Sequence, residues 1–122
     1  MKEELKAKWL TALRSGHFTQ GKFSLRWEDE GEGTCHYCCM GVLCHISEKG
    51  GWAGEFYVRP HTDDLEALDQ DLPQWLALLV EIDTVGELPF LDRNGNKVCL
   101  VDLNDNAGLT FEQIADLIEH FM

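Results

Sequence analysis

The sequence predicts an α+β fold, a single domain over residues 1–122 in which a short antiparallel sheet with a β-hairpin packs on three or four helices. Three observations carry this expectation. Both ends of the chain hold apolar residues at helical spacing, the middle holds short apolar runs broken by glycine, and Asn94-Gly95 stands between two such runs as a tight-turn dipeptide. At 122 residues, 44% hydrophobic and 26% charged, the chain has the size and composition of one ordinary globular core.

Residues 2–14 read as an amphipathic helix, with Leu5, Trp9, Leu10 and Leu13 on one stripe and Ser15-Gly16 as its stop. The alternation in residues 22–27 suits a half-buried strand, and the acidic, glycine-containing residues 28–33 read as a solvated loop. Residues 37–46 are apolar on nearly every side, which predicts a central buried helix, although Gly41 costs a helix about 1 kcal/mol. Lys49-Gly50-Gly51 ends it, and residues 52–58 read as a strand closed by Pro60. Asp63-Asp64 would cap a short helix carrying Leu65 and Leu68, and Pro73 would open another through Trp75, Leu76, Leu79 and Val80. Residues 87–91 and 97–102 are expected as the two strands of the hairpin, with both Asn94 and Gly95 at positive φ. Asn104-Asp105 reads as an Asx turn leading into the last helix, which Thr110-x-x-Gln113 opens as a capping box. No internal repeat or low-complexity tract interrupts this order.

Charge divides the chain. Residues 1–27 hold six bases and two acids, and the remainder holds four bases and twenty acids, for a net charge of −12. Such a surface repels phosphate backbones, which argues against direct nucleic-acid binding, and it attracts basic proteins in a salt-dependent way. No apolar run approaches the ~20 residues that cross a bilayer, and residues 1–5 have no hydrophobic signal core, so the expected location is the cytoplasm, with no membrane partner.

Five cysteines, an odd number, are expected to stay reduced there. Cys35, Cys38, Cys39 and Cys44 crowd together beside His36 and His45, a donor set that suits zinc. On a continuous helix, however, Cys44 falls about 180° around the axis from Cys35, and His45 lies roughly 10 Å along it from Cys38. A clamp by Cys35 and Cys38 would need distant partners such as Cys99 or His61. The favoured reading is small buried hydrophobes, with no metal or cofactor. Residues 102–113 fail as a calcium loop, because the glycine falls one place late and Gln113 stands where a bidentate glutamate is required. No phosphate loop, HExxH helix or assignable nucleophile-base set occurs, so the sequence leans away from an enzyme. Arg14, Gln20, Lys22 and Arg26 are candidates for binding a small anion or nucleotide, since guanidinium groups suit carboxylate and phosphate, but they are equally suited to pairing with the acidic remainder.

Three blocks in order resemble a family of small proteins without assigned activity found in bacteriophages and bacterial genomes. They are Trp9-Leu10-Thr11-Ala12-Leu13-Arg14-Ser15-Gly16 with Gln20-Gly21, then Tyr37-Cys38-Cys39-Met40-Gly41-Val42-Leu43-Cys44, then Leu103-Asn104-Asp105 with Thr110-Phe111-Glu112-Gln113-Ile114-Ala115-Asp116-Leu117-Ile118. His45 stands where members often carry an acid. The resemblance adds Asn104 and Asp105 to the candidate ligand residues, as either site or turn chemistry. It also implies a phage context, in which small acidic proteins occupy host proteins, sometimes by imitating nucleic acid. The expectation is therefore a non-enzymatic acidic accessory protein that binds a basic host protein as an inhibitor or nucleic-acid mimic. The alternatives are a binder of a nucleotide signal and a zinc-stabilised small domain.

Overall fold

Trp9 sits at the centre of the first helix's apolar stripe, and the molecule is built around what that indole meets. In a computed structural model, which describes residues 1–59 and 71–122, α1 (Glu3–Arg14) buries Trp9 and Leu13. The Trp9 indole Nε1 donates to the Cys39 carbonyl at 3.0 Å, which joins α1 to α2 (Cys39–Ser47). Gly16 takes φ +78 just beyond α1, as its stop signal requires.

Among the described residues three small sheets follow. β1 (Thr19–Gln20) pairs parallel with β3 (Cys35–Tyr37), which pairs antiparallel with β2 (Arg26–Glu28). The expected strand over 22–27 is thus shorter and later. Phe23 is exposed at φ 67, which breaks the extended run and turns Leu25 into the core, where its carbonyl accepts from Cys38 N at 3.3 Å. The expected helix over 37–46 is displaced likewise. Tyr37 is still strand, and Cys38 serves as the N-cap, its Sγ accepting from Gly41 N at 3.3 Å. The helix then buries Cys39 through Cys44 completely or nearly so, and it is central as expected.

Residues 52–58 are not one strand but a hairpin, β4 (Gly51–Ala53) and β5 (Phe56–Val58), folded at Gly54 with φ +62. The expected cap at Asp63-Asp64 lies outside the described residues. Pro73 is the N-cap of α3 (Gln74–Val80). β6 (Glu87–Leu91) and β7 (Lys97–Cys99) form the expected antiparallel hairpin, but of the turn dipeptide only Gly95 has positive φ. Asp92 explains the difference: its Oδ1 accepts from the amides of Asn94 and Asn96, and its carbonyl accepts from Gly95 N, so a wider turn forms around one carboxylate.

The second arm ends at Cys99, where α4 (Leu100–Asp105) replaces the expected strand and Asx turn. Leu100 and Asn104, one helical turn apart, are both fully buried, and that shared burial outweighs the turn preference of Asp102, Asn104 and Asp105. α5 (Phe111–Phe121) opens on the complete Thr110/Gln113 capping box and buries Phe111, Ile114, Ala115 and Ile118 against α1 and α4. The result is an α+β domain with five helices among the described residues around one hydrophobic cluster. No helix among those residues is long and apolar enough to cross a membrane.

Candidate functional site

The six candidate residues separate into a buried hub and three solvent-side bases. Gln20 leaves β1 towards α4 and α5: its Nε2 donates to Asn104 Oδ1 at 2.9 Å and to the Leu109 carbonyl at 2.7 Å, while its Oε1 accepts from Phe111 N at 3.0 Å. Phe111 is the first residue of α5, whose amide has no partner within the helix, so Gln20 caps a helix distant in sequence. Asn104 does the same for α2, its Oδ1 accepting from Cys39 N at 3.3 Å. Its Nδ2 donates to the Gly21 carbonyl and to Asp105 Oδ1, both at 2.9 Å. Asn104 and Asp105 are buried, and the bonds of Asn104 go to the protein's own backbone and to the side chains of Gln20 and Asp105.

Arg14 lies elsewhere, against α5, with Nη2 at 2.7 Å from Asp116 Oδ1 and 2.8 Å from Glu119 Oε2. Those hydrogen bonds, Glu119 first, raise the guanidinium's pKa further. Lys22 is exposed beside Gly108. Arg26 donates from Nη2 to Cys35 Sγ at 3.3 Å, the main cause of its raised pKa, and its guanidinium lies 5.5 Å from the centre of the Trp52 ring. Gln20 and Arg26 both pair in register with Tyr37, one on each side of β3, whereas Arg14 is engaged by the acids of α5.

Beside Arg26 runs an aromatic cluster of Phe18, Tyr37, His45 and Trp52, with the Trp52 Nε1 donating to His45 Nδ1 at 3.2 Å. Burial raises the Tyr37 phenol's pKa. Phe18 and His45 of this cluster also line an open groove of about 700 Å³ between α1 and α2, with Thr11, Ser15, His17 and Ile46 among others. Cys35 and His36 are neighbours on β3 and so point to opposite faces. His36 stacks on Trp27 at 3.9 Å and its Nε2 meets Asp29 Oδ2 at 2.8 Å, leaving the thiol beside a guanidinium and away from this imidazole.

No three His, Cys, Asp or Glu side chains among the described residues converge as a metal site. His61, one of the distant partners considered for zinc, lies outside those residues. Cys38, Cys39 and Cys44 are buried, while Cys35 and Cys99 are partly open. Burial pushes the Cys38 thiol up to about 12, and holds those of Cys39 and Cys44 well above the ordinary range. Native protein is therefore expected to label with maleimide at Cys35 and Cys99 and to protect the other three until urea unfolds it, read by mass spectrometry; rapid labelling of Cys39 would contradict the packing. Because the fold keeps these three thiols neutral, it retains protons that the unfolded chain releases above about pH 8.5. Stability falls as pH rises from there towards 12.

The acidic residues define the remaining surface. Of eighteen described acids fifteen are exposed, Asp29 and Asp71 are half-buried, and Asp105 is buried. Lys and Arg ion pairs among the described residues engage Asp116 and Glu119 through Arg14, and Glu87 through Lys97. A second groove, about 440 Å³, opens where α3 ends, β6 begins and α5 ends, with Glu81, Asp83 and Glu87 beside Ile82, Pro89 and Phe121. None of these six was a candidate site residue from sequence, where Phe121 read as part of the last helix's apolar stripe; the signal for the rim was the acid excess beyond Trp27.

The chain matches no curated protein and no solved structure. A family model described as Domain of unknown function (DUF8296) matches residues 1–122, and the chain belongs to that family.

Proposed function

We propose that this protein is a non-enzymatic accessory protein of phage type whose acidic surface occupies a basic site on a host protein, as an inhibitor or a mimic of nucleic acid. The observation that supports this reading is the exposure of fifteen of the eighteen described acids. Carboxylates held in water and facing outward keep their field available for steering a basic partner. Had the acids been paired one by one with bases, no such field would remain. Among the described residues Arg14 takes two of the acids on α5 and Lys97 one on β6.

Charge-driven association is salt-dependent, because the Debye length shrinks from about 30 Å at 0.01 M to about 3 Å at 1 M ionic strength. Immobilised protein incubated with a bacterial lysate at low salt is expected to retain a basic protein and to release it as salt is raised. Retention of nothing at low salt, or retention that salt does not weaken, would overturn the reading. Thermal-shift measurements against nucleotides separate it from the small-ligand alternative: a ligand at 100 times its Kd adds about 2.7 kcal/mol to stability, and the expected result is no shift.

A further inference from the structure

We infer that the groove bounded by Glu81, Asp83 and Glu87 is the docking surface for a basic amphipathic segment of a partner protein, one that seats a large apolar side chain between lysines or arginines. This rests on the acidic-binder reading and gives it a location.

The groove joins an open apolar wall to a carboxylate rim. Its apolar wall is open: Ile82 is only half-buried, Pro89 is exposed, and Phe121 remains 39% exposed while Phe90 packs against its ring at 4.9 Å. Leu91, at the end of the same strand, is 61% exposed. The groove of about 440 Å³ in this wall has room for a large apolar side chain, and it lies open to solvent and so does not enclose what it holds.

Its electrostatics are predominantly negative: Met1 also lines the groove, but its one amino group faces three carboxylates. α3 ends at Val80 and α5 at Phe121, so two helix C-termini, each carrying partial negative charge, converge on the groove that three carboxylates line. Asp83 accepts from the amides of Val85 and Glu87, which fixes its carboxylate at the loop without supplying a cation. Glu81 has no cationic side chain in reach among the described residues, and Glu87 meets only Lys97, whose side chain is 77% exposed and easily displaced.

These charges select among occupants. A second copy of the same groove would set like charges against each other, and a nucleic acid would be repelled. A segment with cations flanking an apolar anchor satisfies both the rim and the wall, as interfaces with a buried apolar centre and polar rim generally do.

The test uses the full chain and a fluorescein-labelled helical peptide of lysine and leucine, titrated at low salt by fluorescence anisotropy. The Glu81→Gln/Glu87→Gln double variant and Phe121→Ala, both at exposed positions, are expected to weaken binding roughly tenfold each. Glu30→Gln/Glu32→Gln, which removes the same charge from the β2–β3 loop, is expected to weaken it less than about twofold. Equal weakening by the two double variants, with Phe121→Ala neutral, would overturn the groove while leaving the acidic-surface reading in place. Absence of peptide binding by the unaltered protein would overturn both.

Discussion

Gly41→Ala is expected to destabilise the fold by about 3 kcal/mol or more, at the upper end of what one added methyl does in a packed interior. A Cβ built on Gly41 would overlap the Leu25 carbonyl oxygen and stand 2.7 Å from its carbon. The obstacle is backbone, and it is held in place: Leu25 is fully buried, and its carbonyl accepts from Cys38 N one residue before α2 begins. Relief would require α2 to move away from the loop, breaking that bond and the Trp9 bond to the Cys39 carbonyl on the opposite side. Gly31→Ala is the matched control, because open space surrounds that position, and it should change stability by less than about 0.5 kcal/mol. Urea midpoints at constant slope measure both. A Gly41→Ala protein with an unchanged midpoint would show that α2 does not approach Leu25 this closely.

The same glycine shows where the sequence was legible and where it was not. A buried central helix was readable from the apolar run over 37–46, but Gly41 registered only as a propensity cost. Its reason, a backbone passing against the helix, depends on residues 22–25, which belong to a stretch whose alternation predicts a strand and which Phe23 at φ 67 turns inward instead. The terminal helices were readable because each carries its signal locally, α1 as the stripe of Leu5, Trp9 and Leu13, and α5 as the capping box at Thr110 and Gln113. Strands of two to five residues carry no such signal. Residues 52–58 alternate well enough for one strand, and only the pairing of Trp52 with Tyr57 reveals two.

The candidate site was legible as residue types and not as partners. Arg14 and Gln20 are six positions apart in sequence, yet one faces the acids of α5 and the other caps its first turn from inside. Asn104-Asp105 is a common turn pair, so a local reading assigned it to a turn, whereas the bond from Gln20 to Asn104 spans 84 positions. The acid excess was countable at once. Its convergence with two helix C-termini and an open apolar wall required the chain to be folded.

Asn104→Ala is expected to cost about 3–5 kcal/mol, because it strips partners from more than one buried polar group at about 1–3 kcal/mol each. The Asn104 amide is fully buried and uses both atoms, accepting from Gln20 Nε2 and Cys39 N and donating to the Gly21 carbonyl and Asp105 Oδ1. Removing it leaves the first amide of α2 and the Gly21 carbonyl, one residue past β1, without that partner, and leaves Asp105 without its neighbour's donor. Asn104→Asp should be no milder despite its identical shape, because an acceptor would then face the Gly21 carbonyl and a second carboxylate. Gln20→Ala removes the other half of the pair and frees Phe111 N at the start of α5. Since the two side chains bond each other, the double variant should cost less than the sum of the single ones by about 1 kcal/mol or more, measured by urea melts in a double-mutant cycle. Additivity within about 0.5 kcal/mol would mean that the two act separately. Coupling would place the Gln-Gly and Asn-Asp pairs, which carry the sequence resemblance, in one clamp that fixes the starts of α2 and α5 against β1.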